Sequence, residues 1–593
     1  MWTIDTECYS NIWMLCAQHI KTKERRFYQL PGLTDSERDE MKALLRAEHT
    51  ISFNGLNYDL PMIAYACDGA TNAELKELSD KIILSDDPSW KVCDDMGISV
   101  PDSWKQKHID LIEIAIGKAS LKIYGGRLNC KKMQDLPLDP ELPVPDDKIT
   151  LLREYCFNDL EVTGLLFEHL YKQVKLRNQI SRRYKINLMS KSDAQMAEAV
   201  IKKCVQEAKG EAVYKPKTKP VSVRYNPPSY IQFASNQLTA ILNRIVETDF
   251  MIHKTNGSVC MPEWLADTVI RIGTASYQMG IGGLHSMEKK QFVEAGDDYV
   301  LADWDVASMY PTMIVNQRLA PENMGKHFTE LYRGFVNERL AAKHSGDKVT
   351  ADTLKIFLNG SFGKFGSMYS ILYSPKLLIQ TTITGQLSLL MLIEKVTDLG
   401  IRVVSANTDG VVILCPKSKQ ALMDQITFEW MLQTDMQLER TDYRLVASRD
   451  VNSYVAVKTN GEVKRKGAFA DGSLAKNPDR LIIYDAVCEL LANGAPIEQT
   501  IRDSADITRF VTVRKVAGGA LFQGDEIGKA VRFYHATSVD NETCLTYKKS
   551  GNKVPNSNGC RPLMELPEVF PNDVDYNYYI NEARDVLKEI GYA

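Results

Sequence analysis

Polar and apolar residues alternate at the start of the chain, Trp2-Thr3-Ile4-Asp5-Thr6-Glu7, and that period of two predicts a strand. Residues 12–20 are β-rich as well, so 1–30 read as strands. Helical spacing follows at 35–49, 73–79 and 149–174, which makes 1–175 one α/β domain. Lys215-Pro216-Lys217-Thr218-Lys219-Pro220 is basic and proline-rich and predicts a solvated connector. Tyr299–Val306 is a second strand-like run, followed by a helical pair at about 327–345 and 350–366. Two β-rich runs within 402–414 are split by Asn407-Thr408-Asp409-Gly410, the pattern of a hairpin. Residues 476–593 mix helix and strand, and the chain carries no internal repeat or low-complexity tract.

A length of 593 residues exceeds what one core holds, so three or more domains are expected. The balance of 44% hydrophobic and 25% charged residues is that of a soluble globular protein. With no run of about 18 apolar residues, and with Asp5 and Glu7 close to the N-terminus, neither a membrane span nor a secretory signal is expected. Twelve cysteines stand singly with no C-x-x-C pair, which argues against a zinc or iron–sulfur module and for reduced thiols in a cytoplasmic setting. A net charge of −4 announces no polyanionic partner, so any nucleic-acid surface must be local.

Candidate chemistry changes this picture. Asp5 and Glu7 project from one face of the first strand, hard oxygen ligands on a rigid element, as a pair of divalent cations requires. Asp59 ends Asn54-Gly55-Leu56-Asn57-Tyr58-Asp59, and Asp159 stands four residues after Tyr155, on the same helix face. A carboxylate there can hold a metal while the phenol orients an attacking water. Singly, each acid reads as a surface carboxylate. Together they resemble the exonuclease domain of family B DNA polymerases, with its D-x-E, N-x-x-x-(F/Y)-D and Y-x-x-x-D motifs in that order. The resemblance implies a ribonuclease-H-like fold binding two Mg²⁺ through Asp5, Glu7, Asp59 and Asp159.

A second set follows. Asp305-Val306-Ala307-Ser308-Met309-Tyr310-Pro311 resembles motif A of the same family, D-x-x-S-L-Y-P, with Met309 for Leu. An aspartate at a strand end can ligate two metals, and the turn after it offers backbone N–H groups to a triphosphate. Lys355-Ile356-Phe357-Leu358-Asn359-Gly360-Ser361-Phe362-Gly363 resembles motif B, with Gly360 for Ser and Phe362 for Tyr. Lys355, Asn359 and Phe362 form one helical stripe. Glycines 360, 363 and 366 each cost a helix about 1 kcal/mol, which reads as provision for close approach to a nascent base pair. Asn407-Thr408-Asp409-Gly410 stands where motif C has D-T-D-S, with an asparagine for the first aspartate.

The resemblance implies Asp305 and Asp409 as catalytic metal ligands, with Val306 beside them. It implies Ser308, Tyr310, Lys355 and Asn359 as nucleotide-binding residues, Tyr310 lying under the incoming sugar as a gate against a 2′-hydroxyl. Arg339 and Lys343, at i and i+4 of a helix, suit the β- and γ-phosphates, although a solvated face would look alike. Gly282 and Gly283, in Gly280-Ile281-Gly282-Gly283, resemble a Y-x-G-G-like segment. Lys464 and Lys466 stand where the family has a K-x-Y contact to the primer strand, although a solvated turn would read the same way.

The resemblance covers about 1–469 and implies an α/β and α+β multidomain protein. Its parts are an exonuclease domain (1–175), a connector or N-terminal-like region (176–295), palm (296–326 and 371–475), fingers (327–370) and thumb (476–593). The implied activity is template-directed DNA synthesis with 3′→5′ proofreading. Two Mg²⁺ would serve each site, with Mn²⁺ substituting, and the partners would be a DNA primer–template and dNTPs. Shortness suggests a compact bacteriophage type, monomeric in the host cytoplasm, beside a single-stranded-DNA-binding protein or a helicase–primase. The interval from Asp305 to Lys355 is 50 residues, and that from Asn359 to Asp409 another 50. Neither leaves room for an added subdomain of about 50 residues, so an ordinary nucleic-acid primer is expected. The alternatives are a protein-primed phage polymerase, with a terminal protein docked on 176–295, and an exonuclease or DNA-binding protein with a decayed polymerase site.

Overall fold

The computed structural model describes residues 1–217 and 219–592, so Thr218 of the predicted connector lies outside the described residues. The chain divides into two compact units. One comprises Met1–Ser192, Gly472–Ile482 and Arg502–Tyr579; the other comprises Asp193–Asp471, Ile483–Ile501 and the residues from Ile580 on.

The first unit holds a five-stranded sheet in the order Arg25–Leu30, Trp13–His19, Trp2–Cys8, Thr50–Ser52, His108–Asp110. The first three strands are antiparallel, and the last two join in parallel. On the central strand Trp2, Ile4 and Cys8 enter an apolar core with Met62 and Ile63 of the helix Asp59–Cys67. The opposite face carries Asp5 and Glu7 towards the helix Ile149–Tyr184, which continues well beyond the predicted 174. A four-stranded antiparallel sheet from 512–562 belongs to this unit too. Its Val513 and Ala530 pack with Ile123 of the helix Leu121–Arg127 and with Met133 and Val162. The segment read as a thumb is therefore divided between the units.

In the second unit a large antiparallel sheet runs Val463–Arg465, Ser453–Lys458, Leu438–Asp450, Tyr299–Val306, Gly410–Pro416, Arg402–Asn407, and on through Leu284–Ser286. The predicted hairpin is present, with Asn407 opposite Gly410 across the turn Thr408-Asp409. Behind the sheet lies the helix Pro375–Asp398, long and apolar enough by length and composition to cross a membrane, yet 94% buried over that stretch. It packs as a core helix. Its Thr381, Thr384 and Ser388 return their hydroxyls to carbonyls one turn back, which is how a helix with polar letters sits in an apolar core.

Three helices form a side group: Gly325–Ser345, Lys348–Phe365 and Asp193–Lys209. The third comes from the region read as connector. It is pinned by Glu198, whose carboxylate meets Lys364 at 3.2 Å and accepts from the Ser370 hydroxyl and the Ile371 N–H at 2.9 and 2.7 Å.

Candidate active sites

Thr6, between the two acids of the first strand, donates its N–H (3.1 Å) and hydroxyl (2.7 Å) to one oxygen of Asp59, fixing the head of the helix Asp59–Cys67 against the sheet. The loop before that helix is tied by Asp110, which accepts from the N–H groups of Asn54 and Leu56 at 2.8 and 3.0 Å. Asp159 and Tyr155 share one face of the long helix. The four predicted acids Asp5, Glu7, Asp59 and Asp159 are thus brought together: Asp5 feels the other three, and Glu7 feels Asp59 and Asp159. Burial holds Glu7 up to about 8, helped by Asp159 and Asp59 and opposed by Lys122. Asp59 is held up to about 7 by burial first, against its bonds from Thr6. Burial, then Asp59 and Glu7, push Asp5 upward as well.

Carboxylates crowded into mutual repulsion are what a divalent cation relieves, so this donor set fits Mg²⁺. Cys156 adds a sulfur 3.8 Å from an Asp5 oxygen. Sequence reading missed Lys122. It ion-pairs with Asp159 through both carboxylate oxygens, and its ammonium stands 4.1 Å from the Tyr155 ring centroid. No local motif marks it; the fold alone brings it to Asp159, 37 residues downstream.

The second set lies in a cleft of about 570 Å³ lined by Asp303, Asp305, Val306, Ser308, Arg339, Lys343, Asn407, Asp409, Lys464 and Lys466 among others. Asp305, one residue before the end of its strand, lies opposite Gly410, and a Cβ at 410 would collide with the Asp305 carboxylate. Glycine at 410 therefore lets the hairpin close on the aspartate. The Val306 N–H donates to the Asp409 carbonyl at 2.7 Å, locking the two segments together. Asp305 is pushed up to about 6 by burial first and then by Asp303 and Asp409, against Lys464. Here too the residues fit a divalent cation.

Ser308 takes the left-handed conformation (φ 51°) that turns strand into helix, and Arg339 donates to its hydroxyl. The Arg339 Nε is buried with no partner among the described residues, and Lys343 stands 3.8 Å from Glu439. The Tyr310 ring stacks on Phe362 at 4.5 Å and 13°, and its hydroxyl donates to the Gly282 carbonyl at 2.5 Å. Gly283 packs directly on Thr408 of the hairpin. Lys464 ion-pairs with Asp303 at 3.0 Å, while Lys466 stands exposed at the rim.

Lys355 and Asn359 do not join that cleft. They are exposed along a separate groove with Asp193 and Ala194 of the third helix. A Cβ at Gly360 would meet the Asp193 carbonyl at 2.8 Å, so the close approach there is to a helix of this chain, while Gly363 faces open space.

No protein-family model matches the chain. An alignment over 205 residues, covering 28% of this chain and 21% of the other, is 25% identical to DNA polymerase 1 of Aeropyrum pernix. Another alignment, of 123 residues (20% of this chain), is 28% identical to DNA polymerase 1 of Saccharolobus solfataricus and covers 14% of it. The chain thus spans about a fifth and a seventh of these relatives. The solved family B DNA polymerase from the archaeon Pyrobaculum calidifontis aligns with TM-score 0.42 and 13% identity, over 100% of this chain and 77% of that one.

The second centre also holds residues that sequence reading passed over. Asp303, 5% exposed, lies two before Asp305 on the same strand face. The alternation that singled out Asp5 and Glu7 would have found it. Tyr443, which donates to Asp303 at 3.0 Å, comes from a strand with no such signal.

Proposed function

We propose that the chain is a template-directed DNA polymerase of the family B type with a 3′→5′ exonuclease centre. The carrying observation is the cleft in which Asp305 and Asp409 face Arg339, Lys343, Lys464 and Lys466. Acids and cations lining one cleft are what a metal-bound triphosphate and a primer strand require. The similarity to two proteins named DNA polymerase 1 points the same way. For the second activity, support comes from the mixed five-stranded sheet and the four acids gathered on it.

In the polymerase cleft Asp305, Asp409 and the Val306 main chain would hold Mg²⁺, which when bound lowers the pKa of a ligated hydroxyl and offsets phosphate charge. Arg339, already oriented by Ser308, is placed to take phosphate oxygens. Tyr310, held flat by Phe362 and tethered to Gly282, offers a ring edge against a 2′-hydroxyl. In the other centre Asp5, Glu7, Asp59 and Asp159 would hold the metals, and Tyr155 would orient the attacking water. A compact phage type, a monomer and a cytoplasmic setting belong to the same reading.

The deciding experiment gives the purified chain an annealed DNA oligonucleotide, Mg²⁺ and all four dNTPs. Unaided extension is expected. Extension only after a partner protein supplies a serine, threonine or tyrosine hydroxyl would replace the nucleic-acid-primer reading with a protein-primed one, and no synthesis under either condition would remove the polymerase reading.

A further inference from the structure

Lys464 is held more tightly than a solvated lysine at a strand end. Its strand, Val463–Arg465, is separated from that of Asp303 by two others, Ser453–Lys458 and Leu438–Asp450. The side chain crosses both, with its ammonium 5.9 Å from the ring centroids of Tyr454 and Tyr443. It ends 3.0 Å from Asp303 Oδ2 and 3.2 Å from the Tyr443 hydroxyl, and that hydroxyl donates to the same Asp303 oxygen at 3.0 Å. Asp303 is nearly buried, while Lys464 keeps 27% of its side chain exposed.

Stretching a lysine flat costs rotamer freedom, and a shielded ion pair is weak evidence for stability. What the arrangement secures is a position: one ammonium held beside the Asp305 and Asp409 carboxylates. Two of its three hydrogens are spent on Asp303 and Tyr443, and the exposed side of the group faces the cleft.

We propose that Asp303 is a positioning residue for nucleotide transfer, acting through Lys464. It fixes the ammonium where a backbone phosphate of the primer strand is received, so that the 3′ end arrives in register with Asp305 and Asp409. This rests on the polymerase reading.

The Asp303→Asn variant keeps size and an acceptor but frees Lys464. Metal-free primer–template binding, read by fluorescence anisotropy, should hold or tighten, with a salt dependence steeper by about one counterion, because the cleft gains one unit of net positive charge. The kcat for single-nucleotide incorporation should fall about 10- to 100-fold, the cost of a misplaced reacting group. Asp303→Glu should recover most of the rate. In Lys464→Met, adding Asp303→Asn should cost nothing further, because the two act as one unit. Multiplying losses in the double variant, or a weaker affinity that falls together with kcat, would overturn the proposal while leaving the polymerase reading in place. Absence of extension by the unaltered chain would overturn both.

Discussion

The two carboxylate centres solve one problem, gathering like charges, by different means. In the first, Asp59 and Asp159 are 2% and 5% exposed, and the crowded set is relieved by one lysine, Lys122, bound to a single member. In the second, Asp409 stands exposed at a hairpin tip, and the acids share a cleft with four cations. The first arrangement holds its protons to higher pH. The second carries its own counter-charge and stays open to a large polyanion. Depth suits cleavage at a strand end, and mixed charge suits a triphosphate.

Separating the centres by mutation is the sharpest test of that contrast, and it carries the largest expected effect. Asp409→Ala should lower incorporation on the order of 10³-fold, since several kcal/mol of charge stabilisation go with a metal ligand. Degradation of single strands from the 3′ end should be nearly unchanged, because the acids lie in different compact units. Asp5→Ala with Glu7→Ala should do the reverse. If one variant silences both reactions equally, the two-centre assignment is wrong.

Protons give the next largest difference. Glu7, held up to about 8 from an ordinary 4.5, keeps its proton in the folded chain where the unfolded chain has lost it. Its contribution to metal-free stability is therefore fully present below about 4.5 and is lost as pH rises towards 8. Asp59 follows the same sign up to about 7, and Asp305 only to about 6. Metal binding must displace those protons. The Mg²⁺ needed for half-maximal degradation should fall as pH rises from about 6 to 8, by up to about tenfold per pH unit for each proton released. The requirement for extension should be nearly flat across that range. Parallel titrations of the two reactions decide it, and identical slopes would erase the distinction.

What the sequence disclosed follows the range of each signal. The strand of Asp5 and Glu7, the helix face shared by Tyr155 and Asp159, and the Asn407–Gly410 hairpin rest on neighbours in the chain, and all are present. Lys122 and Tyr443 reach their acids only through tertiary packing, which no local pattern encodes. Lys355 and Asn359 do form the predicted stripe, but a stripe fixes which residues share a face and not what that face meets. A helix after Gly366 is expected from the sequence and is present at Pro375–Asp398, but its depth is not legible, because its threonines and serines interrupt the apolar run while bonding back within the helix.

Within the second centre, Tyr310→Ala sets steric selection apart from charge. The ring is held by Phe362 and by the Gly282 carbonyl, so it has little room to yield to a 2′-hydroxyl. Removing it should weaken discrimination between rCTP and dCTP about 10- to 100-fold, the range a shape-based pocket gives. Incorporation of dCTP itself should change less. An unaltered ratio would place the gate on another side chain.

The smallest effect is expected at Asn407, where introducing the aspartate of the motif it resembles tests how far charge alone governs the cleft. By sequence the change ought to be tolerated, because Asp305 and Asp409 already supply ligands. The structure adds a cost. The Asn407 amide donates to the Val451 carbonyl at 3.2 Å and to Asn452 Oδ1 at 3.3 Å, while its oxygen accepts from Thr408 at 3.1 Å. An aspartate keeps the Thr408 bond but turns a carboxylate oxygen towards two acceptors. Each lost bond is worth about 1 kcal/mol at most here, since Asn452 is exposed and free to turn away. Asn407→Asp should therefore lower Tm by about 2–4 °C without Mg²⁺, recover much of that with Mg²⁺, and keep extension within about threefold. Thermal unfolding with and without the ion, beside a Mg²⁺ titration of extension, measures all three. A Tm loss that Mg²⁺ leaves untouched would mean that residue 407 serves the hairpin alone and stands outside the reach of the metal site.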